Sequence, residues 1–140
     1  MDTRAITPEF HVAPQITVAD IPALVSEGFT HIICNRPAAE SAPQDQPDLI
    51  EAAARAAGLS WSDNPLVSGA LSMDHIAAQK VDGKVLAYCA SGTRSAILWA
   101  LSQAGEMPAD DILAAIAKAG YPMEQLRGQI NMLAPRESET

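Results

Sequence analysis

Basic residues and cysteines are scarce in this 140-residue chain, and long apolar runs are missing. Lys and Arg number 9 against 17 Asp and Glu, and the net charge of −8 disfavours nucleic acid or an anionic membrane as a partner. No apolar run approaches the length of a membrane span. The N-terminus lacks the apolar core of a signal peptide, and there are only 2 cysteines, so we expect a cytoplasmic protein with reduced thiols.

Strands and helices alternate along the chain. Short apolar runs predict strands at residues 29–34, 59–62 and 85–88, and periodicity or capping signals predict helices at 17–28, 48–57, 72–80, 96–101, 110–118 and 123–133. This alternation predicts an α/β fold with a mainly parallel sheet flanked by helices. We expect a single domain over residues 1–134, followed by a frayed polar tail at 135–140.

The most informative stretch is residues 84–95, Lys-Val-Leu-Ala-Tyr-Cys-Ala-Ser-Gly-Thr-Arg-Ser. A cysteine at the end of a buried strand is often only a small hydrophobe. Here a strand, a polar loop and a helix start place the Cys89 sulfur over backbone N–H groups, where a thiolate nucleophile is stabilised. Arg94 adds a forked set of donors suited to an oxyanion. We predict Cys89 and Arg94 as catalytic residues, with substrate contacts from Ala90, Ser91, Gly92, Thr93 and Ser95.

The spacing within this loop bears on the reaction. Four residues separate Cys89 from Arg94, in the pattern C-x-x-G-x-R. Cysteine phosphatases of the tyrosine and dual-specificity type have one residue more, which widens the loop to hold a whole phosphate. The shorter loop resembles that of rhodanese-type sulfurtransferases, whose N–H groups surround one sulfur atom. It therefore indicates persulfide chemistry, in which Cys89 takes sulfur from a small anionic donor such as thiosulfate and passes it to a thiol or cyanide.

A second strand end supplies further candidates, because ligands of parallel sheets bind at the carboxyl ends of the strands. Arg36 follows the strand at 29–34 and is a candidate anion contact; alternatively, it caps a helix or pairs with Glu40. We expect Cys34 to be a buried strand residue. The alternative is a protective disulfide with Cys89, which requires Cα atoms within about 7 Å.

The histidines favour neither a metal site nor a catalytic base. His11 and His31 lie near strand segments without a Cys, Asp or His at ligand spacing, so we expect no metal and no cofactor. His75 would act as a base only if its helix faced the loop, and a surface position is the ordinary expectation for it.

Taken together, the loop and the order of elements resemble the phosphatase-like domain of the bacterial beta-lactamase-hydrolase-like proteins. The resemblance rests on residues 12–16, 32–37, 57–59 and 89–95, with Glu40, Asn64 and Pro65. It implies a dual-specificity-phosphatase-like fold, with Cys89 as sulfur carrier and the backbone of residues 90–94 as its cradle. Family members fused to a persulfide dioxygenase act as sulfurtransferases in sulfide detoxification, so the resemblance also implies a persulfide dioxygenase as a partner.

Two departures from the related patterns matter. Position 90 is Ala, where rhodaneses and this family often carry a basic residue, and this lowers the positive potential for thiosulfate. Phosphatases of this fold need an aspartate on the loop after the preceding strand, to protonate the leaving oxygen. Here Ser68 or Gly69 stands at that position, and we expect Asp63 and Asp74 to be a turn carboxylate and a helix N-terminal charge.

The sequence therefore leaves three functions open. The leading hypothesis is a sulfurtransferase that carries sulfur as a Cys89 persulfide. The first alternative is a slow cysteine phosphatase of the dual-specificity type, with a phosphocysteine intermediate. The second is a non-catalytic module that binds an anion or senses redox state, which Ala90 and the missing acid favour.

Overall fold

A five-stranded sheet forms the framework of the protein. In the computed structural model, which describes residues 1–134, the strands are β1 (Arg4–Thr7), β2 (Phe10–Ala13), β3 (His31–Cys34), β4 (Ser60–Asp63) and β5 (Val85–Tyr88). Their order across the sheet is β1-β2-β5-β3-β4. Strands β2, β5, β3 and β4 run parallel, and β1 pairs with β2 as an antiparallel edge strand. The predicted α/β fold with a mainly parallel sheet is confirmed.

The first three α-helices connect the parallel strands, the last three follow β5, and together they cover both faces of the sheet. They are α1 (Ile21–Ser26), α2 (Pro47–Ala56), α3 (Met73–Ala78), α4 (Thr93–Ser102), α5 (Ala109–Lys118) and α6 (Arg127–Leu133). Local signals set several ends: the Thr17 N–H donates to Asp20 Oδ2 at 2.8 Å ahead of α1, and the Ser72 hydroxyl caps α3. The predicted helices are therefore confirmed to within a few residues. Within residues 1–134, none of them has the length and apolarity to cross a bilayer.

Strand β5 lies at the centre of the sheet and is buried on both faces. Val85 and Ala87 point into one apolar cluster, formed mainly with α4, α5 and α6. Leu86 and Tyr88 point into the other, formed mainly with α1 and α2. Such continuous burial is typical of a parallel strand covered by helices on both sides. Because Cys89 directly follows β5, it lies at the middle of the sheet's carboxyl edge.

The N-terminal hairpin was not predicted as part of the sheet. Each of its strands has four residues, and the register between them shifts between Ala5 and Thr7. Only one of the four residues of β1 is buried, and its sequence lacks the apolar run that marks the central strands. The frayed tail predicted at 135–140 lies outside the described residues.

Candidate active site

The Cys89 loop joins the end of β5 to the start of α4. Cys89 is fully buried, and its Sγ accepts a hydrogen bond from the Gly92 N–H at 3.1 Å. Gly92 has a φ of +91°, which lets the loop curl back so that this amide reaches the sulfur. Helix α4 begins at Thr93, so the positive end of a 10-residue helix lies at the same place. The loop is therefore a candidate site for a negatively charged sulfur or a bound anion.

Arg94 is the cation of this site, and two partners fix its orientation. Its Nη1 donates to Glu40 Oε2 at 2.9 Å and to the Leu66 carbonyl at 2.7 Å, and its Nη2 donates to Glu40 Oε1 at 2.7 Å. Hydrogen bonding to Glu40 is the main reason why the pKa of Arg94 is raised; burial opposes the rise and the nearby Cys89 sulfur adds to it. The same hydrogen bond is the main reason why the pKa of Glu40 is lowered. Arg94 is thus a permanent cation beside Cys89.

Arg36 reaches the same carboxylate from the end of β3. Its Nε lies 3.6 Å from Glu40 Oε1, and its Nη1 donates to Gln15 Oε1 at 3.0 Å. The Gln15 N–H in turn donates to the Ala90 carbonyl at 3.4 Å. The structure therefore brings Arg36 and Arg94 to one carboxylate next to the Cys89 loop. The alternative that Arg36 pairs with Glu40 is observed, and a contact between Arg36 and substrate stays a prediction.

A cavity of about 570 Å³ opens next to Arg36 at the carboxyl ends of β3 and β4. Besides Arg36 and Cys34, its wall carries the side chains of Asp48, Glu51 and Asp63. This volume is large enough for the organic part of a small substrate.

The hydroxyl groups of the loop differ in their access to a ligand. Ser91 is exposed and its hydroxyl donates to Thr93 Oγ1 at 3.0 Å. Ser95 is fully buried and its hydroxyl donates to Asn35 Oδ1 at 2.8 Å. A contact between Ser95 and substrate would require this bond to break. Ser91 and Thr93 are therefore better placed than Ser95 for the predicted substrate contacts.

A buried amide network lies under the loop. Gln79 Nε2 donates to Asn35 Oδ1 at 2.8 Å, and Gln79 Oε1 accepts from Asn35 Nδ2 and Asn64 Nδ2, both at 2.9 Å. These residues are 5% exposed or less, and with Ser95 they tie the segments after β3 and β4 to α3 and α4. Sequence reasoning missed the roles of Asn35 and Gln79, since isolated amides carry no spacing signal.

Tyr121 contacts the Cys89 loop from the connection between α5 and α6. Its hydroxyl donates to the Ser91 carbonyl at 3.1 Å. A side-chain carbon added at Gly92 would lie 2.1 Å from the Tyr121 oxygen, so the phenol packs directly on the glycine. Nothing in the sequence pattern pointed to this contact, because Tyr121 is far from the loop in the chain.

Cys34 is buried and, like Cys89, is a free thiol. Its Sγ–H donates to the Arg36 carbonyl at 3.3 Å, and burial is the main reason why its pKa is raised. It points into the apolar cluster that also contains Trp61 and Tyr88. The expectation of a buried strand residue is confirmed, and the alternative of a disulfide with Cys89 is not observed.

The segment that would carry a leaving-group acid lies against the site. The Leu66 carbonyl contacts Arg94, yet residues 64–69 contain no carboxylate. Asp63 accepts from the Trp61 Nε1–H at 2.9 Å, and Asp74 lies in the first turn of α3. Both His75 ring nitrogens are engaged, Nε2 with the Pro65 carbonyl at 2.9 Å and Nδ1 with the Ser72 hydroxyl at 2.7 Å. Neither aspartate nor His75 is thus held ready as an acid or base in this arrangement.

The sequence matches a family of known proteins. The model of the phosphatase-like domain of the Beta-lactamase hydrolase-like protein matches residues 2–106. The Beta-lactamase hydrolase-like protein of Xylella fastidiosa is 36% identical over 92 residues, which are 61% of this chain and 21% of that protein. The one of Agrobacterium fabrum is 33% identical over 119 residues, 80% of this chain and 28% of that protein. The chain therefore spans less than a third of either relative.

Solved structures with a similar fold include two candidate phosphatases and a phosphatase-like protein. A candidate phosphatase from Neisseria meningitidis is 28% identical, with a TM-score of 0.78 over 93% of this chain and 96% of that one. A candidate phosphatase from Shewanella putrefaciens is 16% identical, with a TM-score of 0.71 over 96% and 93%. The human tyrosine phosphatase-like serine/threonine/tyrosine-interacting protein is 20% identical, with a TM-score of 0.70 over 93% of both. The last two likenesses concern the fold alone, and the predicted dual-specificity-phosphatase-like fold is confirmed.

Proposed function

The chain belongs to the family of phosphatase-like domains of the Beta-lactamase hydrolase-like proteins, and on that premise we propose that it is a cysteine-dependent phosphatase for a small phosphate ester. The observation that carries the proposal is the Cys89 sulfur within 3.1 Å of the Gly92 N–H, beside Arg94, in a fold shared with a candidate phosphatase. This support favours the phosphatase alternative over the sulfurtransferase prediction made from loop length.

The reaction proceeds through a phosphocysteine. The Cys89 sulfur attacks the phosphorus, an S–P bond forms, and the P–O bond to the leaving group breaks. The leaving oxygen departs with the bonding electron pair and takes a proton from water. Water then attacks the phosphorus, the S–P bond breaks, and inorganic phosphate and the Cys89 thiolate are released.

Arg94 and the loop amides stabilise the negative charge on the phosphoryl oxygens during both steps. A guanidinium whose plane is already fixed needs no reorganisation when charge develops in the transition state. Glu40 and the Leu66 carbonyl supply that fixed orientation here. Two donors on Arg94, Nε–H and one Nη2–H, remain for a ligand after these bonds are counted.

The leaving group of the substrate is an activated one. Since residues 64–69 offer no carboxylate, an alkoxide would leave without a proton from the protein. Aryl and acyl phosphates, whose leaving oxygens are stable as anions, fit a site of this kind. The cavity beside Arg36 gives room for the organic group.

Sulfur transfer is a second candidate function, favoured by two observations. The loop has four residues between Cys89 and Arg94, and a sulfur leaving group needs no acid. In that reaction, the Cys89 sulfur attacks the outer sulfur of thiosulfate, sulfite leaves with the electron pair, and a thiol later removes the sulfur. The small anionic donor, the thiol acceptor and a persulfide dioxygenase partner belong to this second candidate.

Steady-state kinetics on an aryl phosphate and on thiosulfate with a thiol acceptor test the proposal. The phosphatase proposal predicts turnover of the aryl phosphate that Cys89→Ser abolishes and Cys34→Ser leaves largely intact, because only Cys89 receives a loop amide. If the protein turned over thiosulfate and not the aryl phosphate, sulfur transfer would replace the phosphatase proposal. Turnover of neither would favour the non-catalytic anion-binding or redox module.

A further inference from the structure

We infer that Tyr121, which lies beyond the family-matched residues 2–106, is a positioning residue for the anion-binding loop. It holds the Ser91 and Gly92 backbone so that the Gly92 N–H stays directed at the Cys89 sulfur. The inference rests on the proposed function in one respect, that the ligand of this loop is the substrate.

Two contacts from one phenol act on adjacent loop residues. The Tyr121 hydroxyl donates to the Ser91 carbonyl at 3.1 Å, so the Ser91–Gly92 peptide plane is held from outside the loop. The N–H of that same peptide belongs to Gly92 and donates to Cys89 Sγ at 3.1 Å. Because a peptide unit is planar, a bond to its carbonyl fixes the direction of its N–H. Tyr121 therefore acts on Cys89 through a single rigid group.

The fit between Tyr121 and Gly92 leaves the loop little space to move outward. A Cβ at position 92 would come within 2.1 Å of the Tyr121 oxygen, and the φ of +91° also favours glycine there. The position thus requires glycine both for its backbone angle and for contact with the phenol.

The Tyr121 ring is itself contacted by Arg4 of β1. The Arg4 guanidinium lies 5.6 Å from the ring centroid, and its Nη1 donates to the Ala119 carbonyl at 3.3 Å. Tyr121 is 9% exposed, and burial raises the pKa of its hydroxyl, so the phenol keeps the proton that it donates to Ser91. The N-terminal strand β1 and the α5–α6 connection therefore brace the loop together.

The test compares Tyr121→Phe with Ser102→Ala. Phe keeps the ring against Gly92 and Arg4 and removes only the hydroxyl. Ser102 is a matched control because its buried hydroxyl also donates to a backbone carbonyl, that of Trp99 at 2.6 Å, at the far end of α4. Arg4→Gln is a second variant, on a half-exposed residue. In both measurements below, its effect should have the same direction as that of Tyr121→Phe and be smaller.

The first measurement is amide hydrogen exchange of the ligand-free protein by NMR. Tyr121→Phe should raise the amide exchange rate at Gly92 by about fivefold to tenfold, which corresponds to the loss of roughly one hydrogen bond. Ser102→Ala should leave the exchange rate at Gly92 unchanged. Equal exchange at Gly92 in wild type and Tyr121→Phe would overturn the inference, and so would equal acceleration in both variants. Because this measurement uses no ligand, it tests the positioning role of Tyr121 even if the proposed reaction is wrong.

The second measurement is the Kd of inorganic phosphate by calorimetry, with kcat and KM for an aryl phosphate. Tyr121→Phe should weaken phosphate binding by a similar factor and lower kcat/KM, whereas Ser102→Ala should change neither. Unchanged phosphate affinity in Tyr121→Phe would overturn the positioning role. Failure of the wild type to bind phosphate would count against the proposed function. The amide exchange rate at Gly92 would then be the test of the positioning role of Tyr121.

Discussion

Glu40 holds Arg94 through two parallel hydrogen bonds, 2.9 Å from Nη1 to Oε2 and 2.7 Å from Nη2 to Oε1. The two residues are 54 positions apart, and the fold brings them together because Glu40 follows β3 and Arg94 follows β5, which are neighbours in the sheet. A fork of this kind fixes both the position and the plane of the guanidinium. It makes Glu40 part of the candidate site although it is not expected to touch substrate.

Glu40→Gln should reduce kcat/KM for an aryl phosphate by about tenfold, since a neutral amide cannot accept both guanidinium bonds and the plane of Arg94 is released. Steady-state kinetics check this. The matched control is Glu124→Gln, which removes the partner of an exposed arginine, Arg127, elsewhere on the surface. Equal losses in the two variants, or no loss in Glu40→Gln, would show that the pair with Arg94 has no role at the site.

The Glu40–Arg94 pair should persist well into mildly acidic solution. The hydrogen bond with Arg94 lowers the folded-state pKa of Glu40 below its unfolded value. The stabilisation is therefore complete above the unfolded pKa and is lost as the pH falls through the lower, folded pKa. Carboxyl carbon NMR titrations should give Glu40 a pKa that rises towards that of an ordinary glutamate in Arg94→Ala. A pKa that is the same in both proteins would contradict the pairing in solution.

Local sequence patterns predicted most of the fold and the centre of the candidate site. The apolar run before Cys89 and the helical run after Arg94 predicted β5, the loop and α4, because each is specified by neighbouring residues. Strands β3 and β4 were predicted for the same reason, whereas β2, which lies between β1 and β5, was not. The edge strand β1 was missed because only one of its four residues is buried and they make no apolar run.

The supports of the site could not be predicted, since they are tertiary contacts. Glu40 was considered as a partner of Arg36 four positions away, and its bond to Arg94 depends on which strands are neighbours. Tyr121 reaches Ser91 only because the connection between α5 and α6 lies against the loop in the folded chain. Loop length indicated sulfur transfer, whereas the similar structures favour a phosphatase, because spacing alone does not determine how a loop is used.

Gln79→Ala should lower the free energy of unfolding by about 2–4 kcal/mol, since it leaves buried polar groups of Asn35 and Asn64 without partners. Denaturant unfolding followed by circular dichroism measures this. Gln103→Ala is the control, because Gln103 is half-buried and its side chain makes one hydrogen bond, to Ser102. A loss in Gln79→Ala no larger than the control's would contradict the account of the buried network.

Placing an acid on the 64–69 segment should widen the range of substrates. In Ser68→Asp, a carboxyl group stands two residues from the Leu66 carbonyl that contacts Arg94. Hydrolysis of alkyl phosphates should rise by about tenfold or more, and that of aryl phosphates with good leaving groups should change little. Ser26→Asp, an exposed position at the end of α1, adds the same charge as a control. A uniform change for both substrate types would indicate that proton transfer to the leaving group is not what the site lacks.

The proposed phosphatase reaction requires a covalent phosphocysteine at Cys89. The Cys34→Ser protein, with Cys89 as its single cysteine, is mixed with an aryl phosphate, quenched in acid within one turnover and analysed by intact mass and peptide mapping. We expect one phosphoryl group on the peptide that contains Cys89, and none when Cys89 is also changed to Ser. A protein that carries no phosphoryl group, yet gains one sulfur atom at Cys89 from thiosulfate, would contradict the phosphatase proposal and establish sulfur transfer in its place.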